Sequence, residues 1–587
     1  MKNKKNLQRV FALTLAAAAT ASAFGMAGCG GKTSDTEETL EVFLWEAGYG
    51  TQWCQDLLAS FEGEDWVKQK YPNLEIVFAK DGNKSTYTTK IDAGEKGNTV
   101  DLFMTASLAN YVGKDASGYE FFADLTENVF NQTVPGESVT VKDKMLPTYL
   151  DSIRYYERGE DSNSDVPFKS YVYPWASGMD SILYNADHLE EFGLEVPLTT
   201  KQFVEACQTI SAKNAGLNDY YFTSIDENGG YAIVTDGGGN YWNYLYPVWW
   251  GQYEGIEEYY NFFNGVYNDS ISSLVFTQKG KLHSLTTMEN ILKWKNGYVY
   301  KKSSGLEYKQ AQTNFLKGDG VFYANGDWFA KEMESTKKEI VEEYGSDYDY
   351  NIRMMRMPIV SEIIEKTPSI PNEETLRAVI RAIDKGYSSV AYALQAAEND
   401  VVGVTEEDYA KIMEARGIVH AIGPLHQAGV PSYAKGKEIA FDFLRYMATD
   451  KAQEIYMKAT GGASLPFNYD LKKKNNALYN ELFGSSNVFS IEQDRLSYLY
   501  DQCYETNVLP DPNSFPLVKW GEMSDIHSLG GSSVTAYFIA KRSDGNYDNL
   551  GKKLYENDIL YYCGEYDEAR GQYKGGAFED CRSLANL

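Results

Sequence analysis

The stretch from Leu40 to Phe78 constrains the fold more than any other part of the chain. Leu40-Glu-Val-Phe-Leu-Trp45 has the branched and aromatic content of a strand, and the glycine-bearing Glu46-Ala-Gly-Tyr-Gly50 interrupts it. Thr51 to Phe61 then sets Trp53, Leu57, Leu58 and Phe61 at the spacing of an amphipathic helix, and Tyr71-Pro-Asn-Leu-Glu-Ile-Val-Phe78 supplies a second strand. Strand, loop, helix and strand make a βαβ unit, the start of a parallel sheet covered by helices. Ligands in such sheets sit beyond the carboxyl ends of the strands.

The pattern recurs. Asn98 to Met104 reads as a short strand ending in Thr105-Ala-Ser107, and Lys169 to Asn185 as two strand segments joined through Pro174. Thr200 to Ile210 is a helix with Phe203, Val204 and Cys207 on one face. Lys435 to Met447 and Lys451 to Thr460 are later helices, the second closed by Gly461-Gly462. With 587 residues the chain is too long for one hydrophobic core, so two large α/β lobes are expected. No repeat of solenoid or propeller length is present.

The front end stands apart. Lys2, Lys4, Lys5 and Arg9 precede a short Ala/Leu/Phe-rich run, the pattern of a signal peptide over residues 1–28. Its end, Met26-Ala27-Gly28-Cys29, resembles a bacterial lipobox, which makes Cys29 the lipidated first residue of the mature chain; the alternative is a chance cysteine beside an ordinary cleavage site. Residues 29–39 then hold no apolar side chain large enough to bury and read as a flexible tether of roughly 15–20 Å.

The whole chain carries a formal charge of −28, and without residues 1–28 this becomes −32. Such a surface repels nucleic acid and anionic lipid. Of the six cysteines, Cys563 and Cys581 are placed to pair in an exported chain, while isolated thiols suit Cys54, Cys207 and Cys503. No Cys/His cluster, HExxH, GxSxG, GxGxxG or Walker spacing occurs, and His188, His283, His420, His426 and His527 are scattered. Neither a cofactor nor a metal is expected.

Four segments, taken in order, resemble a bacterial extracellular solute-binding protein, the lipid-anchored receptor of a carbohydrate ABC importer. They are VFLWEAGYGTQWCQDLLASFE with YPNLEIVF, KSYVYPWASGMDSILYNADHLEEFGLEVPLTTKQFVEAC, AQTNFLKGDGVFYANGDWFAKEM, and GKEIAFDFLRYMATDKAQEIYMKATGGASLPFN. The third is similar to the family's F-x-x-G-x-(hydrophobic)-x-x-x-G-x-W signature. The resemblance spans about residues 40 to 470 and implies the type II periplasmic-binding-protein-like fold: two α/β lobes joined by crossover strands, with the ligand between them. Crossings are expected near Asn185 and Met354, dividing the chain into a first lobe of residues 40–178 and 356–465 and a second of 179–355 and 466–587. It also implies a monomer on the extracytoplasmic face of the cell membrane, held there by its lipid, with ABC permease subunits as partners.

A sugar presents an apolar C–H face and a rim of hydroxyls, so its site needs flat rings and polar side chains at strand ends. After the first strand these are Glu46, Tyr49 and Trp53, with Trp53 equally at home in a helix core; Ser107 follows the third strand. Trp175 lies just after Pro174, where the family commonly places an aromatic facing the ligand. The dense aromatic stretch near Gly237 to Gly239 offers Trp242 and Trp249. Asn325, Asp327 and Trp328 follow a strand end at a glycine turn, and Gly461 borders the cleft by backbone approach or simply ends its helix. The rival readings are a membrane-anchored extracellular glycoside hydrolase, which needs two carboxyls flanking the scissile bond, and a glycan-binding lipoprotein for sensing or adhesion.

Overall fold

The computed structural model describes residues 38–559 apart from 109–110, 114–117, 156–166, 217–230, 238–240, 265, 269, 272, 422–425, 485–488, 510–527, 530–531, 534–537 and 539–548. The signal peptide, Cys29, most of the tether and the Cys563–Cys581 pair lie outside the described residues. Strand β1 (Thr39–Trp45) lies between β2 (Glu75–Asp81) and β3 (Leu102–Thr105), parallel to both. The Gln52–Gly63 helix that links β1 and β2 buries Trp53, Cys54, Leu57, Leu58 and Phe61. The βαβ start is therefore built from the residues whose spacing defines it.

Two sheets carry the fold. The first has the order β2-β1-β3-β12-β4, where β4 is Tyr173–Pro174 and β12 is Gln427–Gly429, antiparallel to both its neighbours. The second sheet has the order β13-β11-β5-β9-β6. Here β5 is Met179–Asn185, β6 Tyr231–Ile233, β9 Gly320–Gly326, β11 Ile418–Ala421 and β13 Asn507–Val508. Strand β10 (Ile352–Met355) shares one edge of β5 with β11: it runs beside Ile182 to Asn185, and β11 beside Met179 and Asp180. The small strands β7 (Val266–Tyr267) and β8 (Ser270–Ile271) form a separate hairpin.

The chain passes from the first sheet to the second at residues 175–178, between β4 and β5, and back between β11 and β12. The expected crossings near Asn185 and Met354 are corrected: Asn185 pairs with Ile352 and Leu183 with Met354, so both stretches stay in one sheet. The lobe boundary moves with them. Met357, Ile359, Val360, Ile363, Leu376, Ile380, Ile412 and Ile418 pack in one cluster with Trp242, Trp249 and Trp250, which assigns residues 356–421 to the second lobe. The first lobe resumes at β12 and continues through the Lys437–Met447 and Asp450–Thr460 helices to Leu465 and Phe467.

The Asp450–Thr460 helix lies against Gln52–Gly63 and ends where expected. Gly461 is left-handed at φ 78°, and its N–H and that of Gly462 both donate to Met457 O. The chain then returns to the second lobe, where the Ile491–Tyr500 helix packs on β10; Leu496 of that helix also touches a small cluster with Met457. Among the described residues no helix is long and apolar enough to cross a membrane.

Candidate functional site

The carboxyl ends of β1 and β9 meet where the chain changes lobes. After β1, Ala47 and Gly50 form a turn closed by Gly50 N–H donating to Ala47 O. It presents Gly48 to the indole of Trp328, so closely that a Cβ on Gly48 would lie 2.6 Å from Trp328 Cδ1. Trp328 belongs by sequence to the second lobe, yet it packs in the first lobe's apolar cluster and is only 8% exposed. Its other side lies on Gly326, the last residue of β9, where a Cβ would overlap the ring. Two glycines, one per lobe, thus make the slot that holds this side chain.

Beneath Trp328 lies a buried polar knot. Asp327 accepts from the Tyr49 hydroxyl at 3.0 and 3.1 Å and from Met179 N–H at 3.0 Å. The Arg495 Nε is 3.3 Å from Asp327 and donates to Glu492 at 2.6 Å. The remaining guanidinium hydrogens reach Ser464 Oγ at 3.1 Å and Gly462 O at 3.0 Å. Ser177, in the first crossing, donates to Ser464 O at 2.8 Å. The knot therefore joins both lobes, a crossing segment and the late helix. Burial raises the Tyr49 phenol well above its usual range; the same burial, opposed by Arg495 and reinforced by Asp327, pushes Glu492 up to about 8.

Aromatic rings surround the crossings. Trp175 stacks on Trp53 with centroids 5.2 Å apart and 20° between planes, and meets His426 edge-on at 4.6 Å. Half-buried Trp45 completes this row at 5.6 Å from His426. On the second lobe, half-buried Tyr241 lies 5.7 Å from Trp328 and touches the apolar clusters of both lobes. Tyr244 stacks on His420 at 4.8 Å and 21°. The His420 Nδ1 is 2.5 Å from Asp180, a carboxylate only 1% exposed whose acidity is weakened by burial and partly restored by His420. That bond fixes the imidazole by one nitrogen.

The structure brings Tyr49, Asn325, Asp327, Trp328, Trp175 and Trp53 together at the junction, all of them buried. Trp53 is at once helix core and neighbour of Trp175. Glu46 is exposed at the rim, 3.7 Å from Lys80, and Ser107 is half-buried after β3. Gly461 is an exposed helix terminator. Trp242 and Trp249 need correction. Both are fully buried in the second-lobe core, Trp249 donating to Pro358 O at 3.0 Å, because the Trp242–Glu254 helix is apolar on every side. Of that aromatic stretch it is Tyr241 and Tyr244 that face the junction. Sequence reasoning also missed Asp180, His420, Ser177, Ser464, Glu492 and Arg495, whose partners are remote along the chain. The one signal for them was that Asp180 lies between Trp175 and the crossing expected near Asn185.

A family model, "Bacterial extracellular solute-binding protein", matches residues 52–365. The chain belongs to this family. No curated protein matches the sequence. Among solved structures, the chain is similar to the maltose-bound MalE3 of T. maritima, with 15% identity and a TM-score of 0.50 over 88% of this chain and 98% of that one. It is similar also to a probable secreted solute-binding lipoprotein of Streptomyces coelicolor, with 12% identity and a TM-score of 0.50 over 90% and 100%. At such identities the likeness establishes the fold: two α/β lobes with a substrate-binding role carried by the family.

Proposed function

We propose that the chain captures a mono- or oligosaccharide between its lobes and delivers it, unaltered, to an ABC permease, from the extracytoplasmic face of a membrane to which Cys29 anchors it. The observation that carries this reading is the set of half-buried rings Trp45, Tyr241 and Tyr244 at the lobe junction, beside a histidine oriented by a buried carboxylate. Flat rings suit the apolar face of a sugar, and an imidazole nitrogen and tyrosine hydroxyls suit its rim. The maltose that the MalE3 structure holds is a ligand of this chemistry. Family membership supplies the rest: hinged lobes convert ligand contacts into a change of shape that a permease can read.

Thermal-shift screening of residues 29–587 against a glycan panel and a peptide panel tests the reading. A saturating specific sugar raises the melting temperature, since binding at 100 times Kd stabilises by about 2.7 kcal/mol. A shift with peptides alone overturns the sugar assignment, and release of shortened glycan overturns delivery without chemistry.

A further inference from the structure

Arg495 and Glu492 come from the Ile491–Tyr500 helix, Asp327 from the end of β9, and Tyr49 from the opposite lobe. None is more than 2% exposed. Two carboxyls thus share one guanidinium in a sealed site. Fully ionised, the trio would bury an uncompensated negative charge, which neither the Tyr49 hydroxyl nor the backbone N–H of Met179 offsets. The other titratable groups around it are Tyr456 from Asp450–Thr460, with Cys54 of Gln52–Gly63 beside that ring, Tyr149, Tyr500 and Asp180, and His426, whose ring centroid is 6.2 Å from that of Tyr49. Burial pushes Tyr49, Tyr456, Tyr149, Tyr500 and Cys54 upward, so they stay uncharged at neutral pH and supply no compensation. Within the trio the charge balances when Glu492 holds a proton, the direction in which burial pushes it. The two carboxyls meet at one donor, Arg495 Nε lying 2.6 Å from Glu492 and 3.3 Å from Asp327.

We propose that this cluster is a proton-operated latch between the lobes: closure takes up a proton at Glu492, and loss of that proton drives the lobes apart. The geometry ties the two events, because Tyr49 of one lobe donates to Asp327 of the other. When the lobes separate, that bond breaks and water reaches Glu492, whose carboxyl then returns to its ordinary value below about 5. Between that value and about 8 the closed form holds more protons than the open one. Linkage fixes the sign: closure weakens as pH rises through that window and no longer changes with pH above about 8. The latch rests on the two-lobed fold and not on which solute the cleft takes.

Small-angle scattering of residues 29–587 without solute, from about pH 6 to about pH 9.5, tests it. The radius of gyration rises with pH below about 8 and levels off above it. In Glu492→Gln, which fixes the uncharged form, it stays low across the range. Tyr49→Phe, which keeps both carboxyls and removes one cross-lobe donor while the Arg495 bonds to Ser464 and Gly462 remain, moves the transition to lower pH. A flat profile in the parent overturns the latch. So does a transition that both variants leave in place.

Discussion

Gly48 of the first lobe and Trp328 of the second are in contact so close that no other residue fits opposite that side chain: a Cβ on Gly48 would come within 2.9 Å of Trp328 Cβ, Cγ and Cδ1. Such distances demand movement. Gly48→Ala is expected to wedge the lobes and weaken binding of whichever glycan stabilises the parent by about tenfold, with the solute-free melt nearly unchanged. Isothermal titration of parent and variant checks it. Trp328→Ala behaves differently, because this ring is 8% exposed and packed: it costs about 3–5 kcal/mol in urea unfolding even without solute.

Removing the guanidinium from the knot leaves Asp327 and Glu492 facing each other. Arg495→Met is expected to destabilise the protein by about 3–5 kcal/mol at pH 7. Urea unfolding of parent and variant at that pH measures the loss.

Tyr244 stacks on His420, which Asp180 orients. Replacing the ring by an aliphatic group keeps apolar bulk and removes the flat face. Tyr244→Leu is expected to weaken sugar binding by about 1 kcal/mol beyond any loss of area. Calorimetric titration checks it, with the melting temperature of the free protein as the control.

Asp384 sits outside the junction and governs acid stability. Its carboxylate accepts from Arg416 Nε at 3.0 Å and Nη2 at 2.8 Å and from Arg356 at 2.7 Å. Burial works against the charge, but the two guanidinia overcome it and hold Asp384 below its ordinary 3.8. A depressed carboxyl stabilises the fold above the unfolded value and loses that contribution as pH falls through the folded one. Asp384→Asn is therefore expected to lower stability at pH 7 and to flatten the decline below about pH 4. Thermal melts from neutral to acid pH follow it.

Much of this architecture was legible along the chain. The βαβ start, the helix ending at Gly461 and the glycine turn before Asp327 and Trp328 depend on local periodicity and turn chemistry, which sequence shows directly. The crossings were not, since a strand's residues do not reveal whether its next partner lies in the same sheet; β10 returns to β5 where a change of lobe was expected. Aromatic density misled for a related reason. Trp242 and Trp249 are as suited to a core as to a cleft, and only their neighbours on the helix, Tyr241 and Tyr244, turn toward the junction. Arg495 carried no signal at all, because its meaning comes from Asp327 and Ser464 in distant segments.

Strand β12 lies between β3 and β4, and the Thr105 hydroxyl meets Gln427 O across 322 residues of sequence. While the chain is being made, the ribosome needs roughly 15–60 s to cover that distance. Through all of it the inner edges of β3 and β4 have no neighbour to bond. Neither half of the molecule can therefore finish early, and a nascent chain of this kind depends on being shielded from its own unfinished edges until almost the last quarter has emerged.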